Sequence, residues 1–401
     1  MSRDGLQGFR SERLQQILRV RRLTQLQLAN LVNVSTPSVS NWCKGKQFPN
    51  RETVEKLAQV LNVQPELFLA EYESGIGHVC FRSDAAALKR GRDMLYGRLE
   101  WGEEVAERLE EFLDFPDVNL PDFRFKSPEE ITDEDIEEAA RQCRKLWKLG
   151  KSPIQDLALA AEGAGIILIR EVTGIPNIEG LSGWSMRLNR PLVLLSADKE
   201  NGYRSRFDLA HEIGHLCLHR HVPKELHAQF HSLMEKQVHK FAGALLLPAE
   251  SIAKETSIYP TWDELLLLKK KWGVSAAAIL MRLLALEIVS EERTREMFQR
   301  RSARWGRRAE PGDDCLPPEK PRLLRRSVEM LVKENIMPLS GLLRHLQLST
   351  CDLENLLGLP EGYFSSQHEA ANIVELATLK RFPSKSKTNA STETNVIKFS
   401  R

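Results

Sequence analysis

In the run RFDLAHEIGH, His211 and His215 stand four residues apart around Glu212. Imidazoles at i and i+4 share one helix face with Cβ atoms about 5–6 Å apart, so the pair can grip a single divalent ion. Glu212 then sits beside that ion, placed to take a proton from an activated water that attacks a peptide carbonyl. The bare spacing also arises by chance, so its surroundings must decide. Phe207, Ala210, Ile213, Leu216 and Cys217 form an apolar stripe at helical spacing, which predicts a packed helix with both histidines turned toward a cleft edge.

Such an ion needs a third protein ligand, and two residues compete for the place. His221 lies ten residues after His211, the offset used by one class of metallopeptidases, but Leu218 stands where that class has the glycine that lets the chain turn back. Glu235 lies in a second helix-like stretch, 234–248, ended by Pro248, and a loop holding Pro223 can fold that helix against the first. Two histidines and a glutamate form a known catalytic zinc shell with one position open, which favours Glu235.

The stretch 204–248, with its RSRFDLAHEIGHLCLH core followed by E-x-x-x-H-x-FA-x-x-LLLP, resembles the ImmA/IrrE family of zinc metallopeptidases. The resemblance extends over about 128–288: a helix-like 154–163 and strand-like 165–172, 181–187 and 192–196 precede the metal helix in the family's order. It implies a gluzincin-like α+β domain, zinc as cofactor with ligands His211, His215 and Glu235, and Glu212 as general base. It also implies a protein substrate, a helix-turn-helix repressor or an antitoxin. The chain departs from the family at His239, where Asn or Asp is usual, and at Val238 in place of alanine. Of the surplus histidines, His219, one turn after His215, either lines the cleft or sits at a helix end favoured by the dipole, and His227 and His231 fall in the connecting loop.

The beginning of the chain carries a second pattern. Helical runs at 13–18, 24–31, 35–43, 50–61 and 65–69 are punctuated by Thr24 and Ser35 as caps and by Gly45 as a stop. TQLQLANLVNVSTPSVSNWCKGKQFP is similar to the Xre/Cro family of helix-turn-helix repressors. The resemblance implies double-stranded operator DNA as a partner, with Thr36, Pro37 and Asn41 facing base edges and Gln25, Ser38 and Lys44 nearer phosphates. Residues 1–60 hold ten Lys and Arg against four Asp and Glu, although the whole chain is only +2, and that local excess suits a phosphate backbone. Two-fold operators make a homodimer the expected form.

These segments predict a multi-domain, mainly α protein. A five-helix Xre/Cro-like domain at 9–70 precedes an acidic helical connector at 71–127 and an α+β zincin domain with a small sheet at 128–290. A C-terminal helical region at 291–378 and a disordered tail at 379–401 follow. The connector is expected to be mostly solvated, because residues 100–140 hold sixteen acidic and three basic side chains. Arginines dominate 293–308, and 338–359 has a helix-turn-helix cadence that is read as packing against the peptidase. Six cysteines without short paired spacing argue against disulfides and cysteine metal sites, and Cys217 reads as core. No segment is long and apolar enough to span a bilayer and no apolar leader is visible, so the expected setting is the cytoplasm. The sequence thus predicts a DNA-binding regulator with a zinc endopeptidase that cleaves a partner repressor, an antitoxin or its own N-terminal module. Its rival is a regulator that keeps the zinc without cleavage, or an antitoxin-like scaffold.

Overall fold

The computed structural model describes residues 5–77, 89–175, 178–306 and 309–365, with the backbone of 378–379. Short-range caps set the first unit. Thr24 and Gln27 form a reciprocal capping box at the start of α2 (Gln25–Val32), the Ser35 hydroxyl accepts from the Ser38 amide at α3 (Thr36–Cys43), and Asn50 accepts from Thr53 at α4 (Arg51–Leu61). Asn33 and Asn62 adopt left-handed backbone (φ 58° and 49°) and end α2 and α4. With α1 (Ser11–Val20) these helices bury Leu14, Ile17, Leu28, Val39 and Leu57. The expected fifth helix is a single 3-10 turn, Pro65–Phe68.

The middle of the chain builds a three-stranded sheet in the order β2 (Ile167–Glu171), β4 (Arg190–Ser196), β3 (Gly180–Ser185), with β2 parallel and β3 antiparallel to β4. Successive side chains on a strand point to opposite faces. Ile167, Ile169, Leu192 and Leu194 therefore enter one core with the N-terminal unit, α5 (Lys89–Glu110) and the C-terminal helices. Leu168, Val193 and Leu195 enter the other. That second core holds α6 (Asp133–Leu146), α7 (Leu157–Gly163), α8 (Gly202–Leu218) and α9 (Lys224–Leu246), with α10 to α13 (Ala249–Glu255, Trp262–Trp272, Ala276–Ala285, Glu291–Trp305) around it. Burial on both faces explains why ILIRE and RPLVLLS carry so little polar alternation.

Outside β3, residues 75–77 run as an extra antiparallel partner. Gly77 N–H donates to Trp184 O (2.9 Å), Met186 N–H donates to Gly75 O (2.8 Å), and Ile76 pairs with Ser185. Glu103 on α5 fastens this segment by accepting from the Gly75 amide (3.0 Å) and the Ser185 hydroxyl.

The expectation of a solvated acidic connector fails at α5, where Glu100, Glu103 and Glu104 are buried. Burial is tolerated because each carboxylate is met by donors. Glu104 accepts from Arg13 (2.6 Å) and Glu100 from Arg19 (2.9 Å), both on α1, so α5 is a strut fused to the N-terminal unit. The C-terminal helices α14 (Leu323–Lys333), α15 (Leu339–Leu346) and α16 (Thr350–Leu357) pack against α5 and β2. Asp352 on α16 receives Arg21 of α1 and Arg98 of α5, and Arg98 also bonds Glu171 on β2. Four elements thereby share one buried charge cluster. Of the arginine run, Arg293 and Arg300 pair with Glu296 and Arg301 with Glu310, while 307–308 lie outside the described residues. The β1 strand (Leu113–Asp114) pairs with β5 (Thr378–Leu379), and the tail from 380 onward, predicted to be disordered, is likewise outside them.

Burial alone would raise the Asp352 pKa, but the Arg21 hydrogen bond and the charges of Arg98 and Arg21 outweigh it and hold the carboxyl below its usual range. Its stabilising contribution is present above the unfolded carboxyl pKa and is lost as pH falls through the lower folded value. Replacing Asp352 with Asn takes the carboxylate from Arg21 and leaves Arg98 with Glu171 alone, and is expected to cost about 3 kcal/mol near neutral pH. Chemical denaturation should show that penalty shrinking in strong acid.

Candidate active site

Helix α8 begins at Asn201, whose side chain accepts from the Arg204 amide, and runs unbroken through the HEIGH segment. Of its apolar stripe Ala210, Ile213, Leu216 and Cys217 are buried and Phe207 is half-buried, and His211, Glu212 and His215 are buried with them. The neighbouring helix α9 lies close because Gly214 has no side chain: a Cβ there would stand 3.0 Å from Phe241 and 3.1 Å from Val238. Val238, larger than the alanine usual in the resembling family, fits against that glycine.

This approach carries Glu235 to the histidines. His211 Nε2 lies 3.6 Å from Glu235 Oε2, and His215 Nε2 lies 3.4 Å from Glu235 Oε1. A tetrahedral ion with bonds of about 2.0–2.2 Å separates its ligands by roughly 3.4 Å, a spacing close to that of Glu235 from each histidine. Glu212 points elsewhere, toward β3, where its Oε2 accepts from the Ser182 hydroxyl at 2.7 Å. Glu212 is thus tied to the sheet, and Glu235 and the two histidines to the helix pair.

The rival third ligand is not brought to this point. His221 Nε2 is 3.0 Å from Asp122 Oδ1, and in place of loop positions His227 and His231 occupy the first turns of α9, which starts at Lys224. His239, one turn beyond Glu235, does approach: ligand atoms of His211, Glu235 and His239 lie within 4.8 Å of one another. Beside the histidines a cavity of about 350 Å³ is lined by Ser182, Trp184, Met186, His215, Arg220 and Val222.

Three polar side chains around the site were missed or undervalued by sequence reasoning. Ser182 holds Glu212, His219 lies against His215 (Nδ1 to Nδ1, 3.0 Å), and Gln237 lies against His219 (Oε1 to Nε2, 3.0 Å). Desolvation pushes the pKa of buried His219 well below its usual value, with the neighbouring His215 acting in the same direction. His219 does carry a signal, since it falls one helical turn after His215. Ser182 and Gln237 carry none.

In the N-terminal unit Pro37 of α3 and Lys44, its C-cap, are exposed, with Thr36, Ser38, Asn41 and Gln25 half-buried. The Ser38 hydroxyl is engaged with Ser35 (2.8 Å), and the Asn41 amide reaches Gln47 (3.4 Å).

Two family models match the chain: helix-turn-helix over residues 14–68, and the IrrE N-terminal-like domain, a peptidase family, over residues 161–284. No curated protein matches it. An Xre-like helix-turn-helix is therefore joined to an IrrE/ImmA-type domain in one chain. No helix among the described residues is long and apolar enough to cross a membrane.

Adding a methyl at Gly214 forces α9 outward and draws Glu235 from the histidines. Gly214→Ala is expected to cost about 1–3 kcal/mol by overpacking. It should also shrink the rise in melting temperature that added zinc produces, as read by paired thermal melts with and without the ion.

Proposed function

From an Xre-like helix-turn-helix fused to an IrrE/ImmA-type domain, we propose a cytoplasmic, DNA-binding regulator whose second domain is a zinc endopeptidase acting on a protein. The observation that carries this reading is the approach of Glu235 to both His211 (3.6 Å) and His215 (3.4 Å), with Glu212 on the histidines' helix held by a hydroxyl of β3 beside a cavity. Zinc in that cradle would supply Lewis acidity to water and to the scissile carbonyl. Glu212 takes the proton from the attacking water and returns it to the leaving amine. The Ser182 hydroxyl donates to one carboxylate oxygen, which fixes the side chain. The substrate class proposed is a repressor or antitoxin carrying a related helix-turn-helix, or this chain's own N-terminal unit, since fusion raises the effective concentration of such a target.

Replacing Glu212 with Gln should leave zinc binding intact while lowering cleavage of a co-expressed target by about 10²–10⁴-fold, the usual worth of a general base. Intact target processing by that variant would remove the catalytic reading.

One observation favours a second reading, a zinc-binding regulator without cleavage. A nitrogen of His239 lies within 4.8 Å of ligand atoms of His211 and Glu235, and four protein ligands make a closed structural site whereas catalytic sites keep a position open. X-ray absorption of the zinc-loaded chain separates the two, because the catalytic site has two imidazoles and the closed one has three. The same spectrum of His239→Asn is expected to equal wild type under the catalytic reading.

For the N-terminal unit, α3 is proposed to enter the major groove of operator DNA, with the chain acting as a dimer. Lys44→Ala is expected to weaken binding on all sequences and to reduce the salt slope by about one, whereas Asn41→Ala should cost about 1–3 kcal/mol on the specific site alone. Titrations at several salt concentrations read both effects.

A further inference from the structure

A buried chain of hydrogen bonds runs from the second histidine of the cradle to the backbone of another element. Its far end is fixed first. Gln237 Nε2 donates to Pro128 O (2.7 Å) and lies 3.4 Å from Ile131 O. Turning that amide over would set its oxygen against two carbonyl oxygens, so Gln237 Oε1 must face the opposite way, toward His219. An amide oxygen only accepts, and His219 Nε2, 3.0 Å away, therefore carries a hydrogen. His219 is 2% exposed, and its two ring nitrogens face an amide and an imidazole. Neither partner compensates a buried charge, and the neutral ring leaves a lone pair on Nδ1. That lone pair faces His215 Nδ1 at 3.0 Å. Two lone pairs do not face each other at that distance, so the hydrogen belongs to His215.

We propose that His219 and Gln237 are positioning residues that hold His215 as its Nδ1–H tautomer, so that its Nε2 lone pair is aimed at Glu235 and the metal position. The consequence is local and directional. His215 Nε2 and Glu235 Oε1, both electron-rich, are brought to 3.4 Å, an arrangement that repels unless a proton or a metal cation lies between them. The relay thus builds cation preference into the resting protein, and it anchors the ring orientation on Pro128, in the 3-10 turn Pro128–Glu130 that leads into α6. Metal-ligating histidines generally depend on such a partner at the second ring nitrogen. Here the partner is another histidine, whose own tautomer is dictated by a glutamine.

The inference rests on the zinc reading above, but the tautomer can be measured without metal. Metal-free full-length protein labelled with ¹⁵N-histidine, held at about pH 8 where free imidazole is neutral, gives the protonated nitrogen of each ring from long-range ¹H–¹⁵N correlations. His215 is expected to show Nδ1–H, and to lose that pattern in His219→Phe, which keeps a ring of similar size without nitrogens, and in Gln237→Leu. Zinc affinity by chelator competition should fall about 10–100-fold in both variants, while the metal-free melting temperature separates this loss from unfolding. If unfolding blurs one variant, the wild-type tautomer decides by itself. An Nε2–H His215 in wild type, or variants that bind zinc within about twofold of it, would overturn the proposal. Wild-type protein that shows the Nδ1–H pattern but takes up no zinc would instead sink the peptidase reading and leave the relay standing.

Discussion

Everything proposed for the cradle depends on how near two helices can come. The four-residue spacing of His211 and His215 places both rings on one side of α8, yet a third ligand must arrive from α9, and the distance is set where Gly214 meets Val238 and Phe241. Dispersion contacts of this kind are individually weak and collectively stiff. A gap wider by one methyl group would leave two histidines and a carboxylate that cannot share an ion. The glycine inside HEIGH is thus a spacer for the facing helix as much as a member of a motif.

The sheet sets the second half of the geometry. Ser182 on β3 reaches Glu212 while Glu235 is carried by α9, so base and ligands are held by separate elements that meet at α8. The opposite face of that sheet belongs to a core shared with α5, the N-terminal helices and the C-terminal helices. Arg21, Arg98, Glu171 and Asp352 close this arrangement electrostatically, one residue from each of four elements. Removing one partner leaves at least one other short of a counter-charge in a low-dielectric setting, which makes the junction between the N-terminal unit and the sheet a stiff one.

Short-range signals were legible in the sequence because their causes are short-range. Thr24, Ser35 and Asn50 cap helices through amides three residues away, and the helix carrying His211 and His215 declares its period by its apolar stripe. What could not be read were consequences of the tertiary fold. Glu100, Glu103 and Glu104 look like a solvated acidic face until Arg13, Arg19 and Ser185 are brought to them across 81 or more residues of chain. His227 and His231 read as loop in the sequence because α9 begins much earlier than its apolar core, at Lys224. Ser182 and Gln237 have no local pattern at all, and their roles exist only once strands and helices have converged. His219 was visible by its spacing but not by its partners.

The segment at 75–77 has one more effect, on what could lie along the outer side of β3. An isolated edge strand offers its whole row of backbone donors and acceptors to any extended chain. Here the row is already occupied opposite Trp184, Ser185 and Met186, so a visiting polypeptide finds a shortened berth opposite residues 180–183, the stretch that includes Ser182. With so few main-chain bonds on offer, selectivity must come from the visitor's side chains and the shape of the neighbouring hollow rather than from the length of a shared ladder.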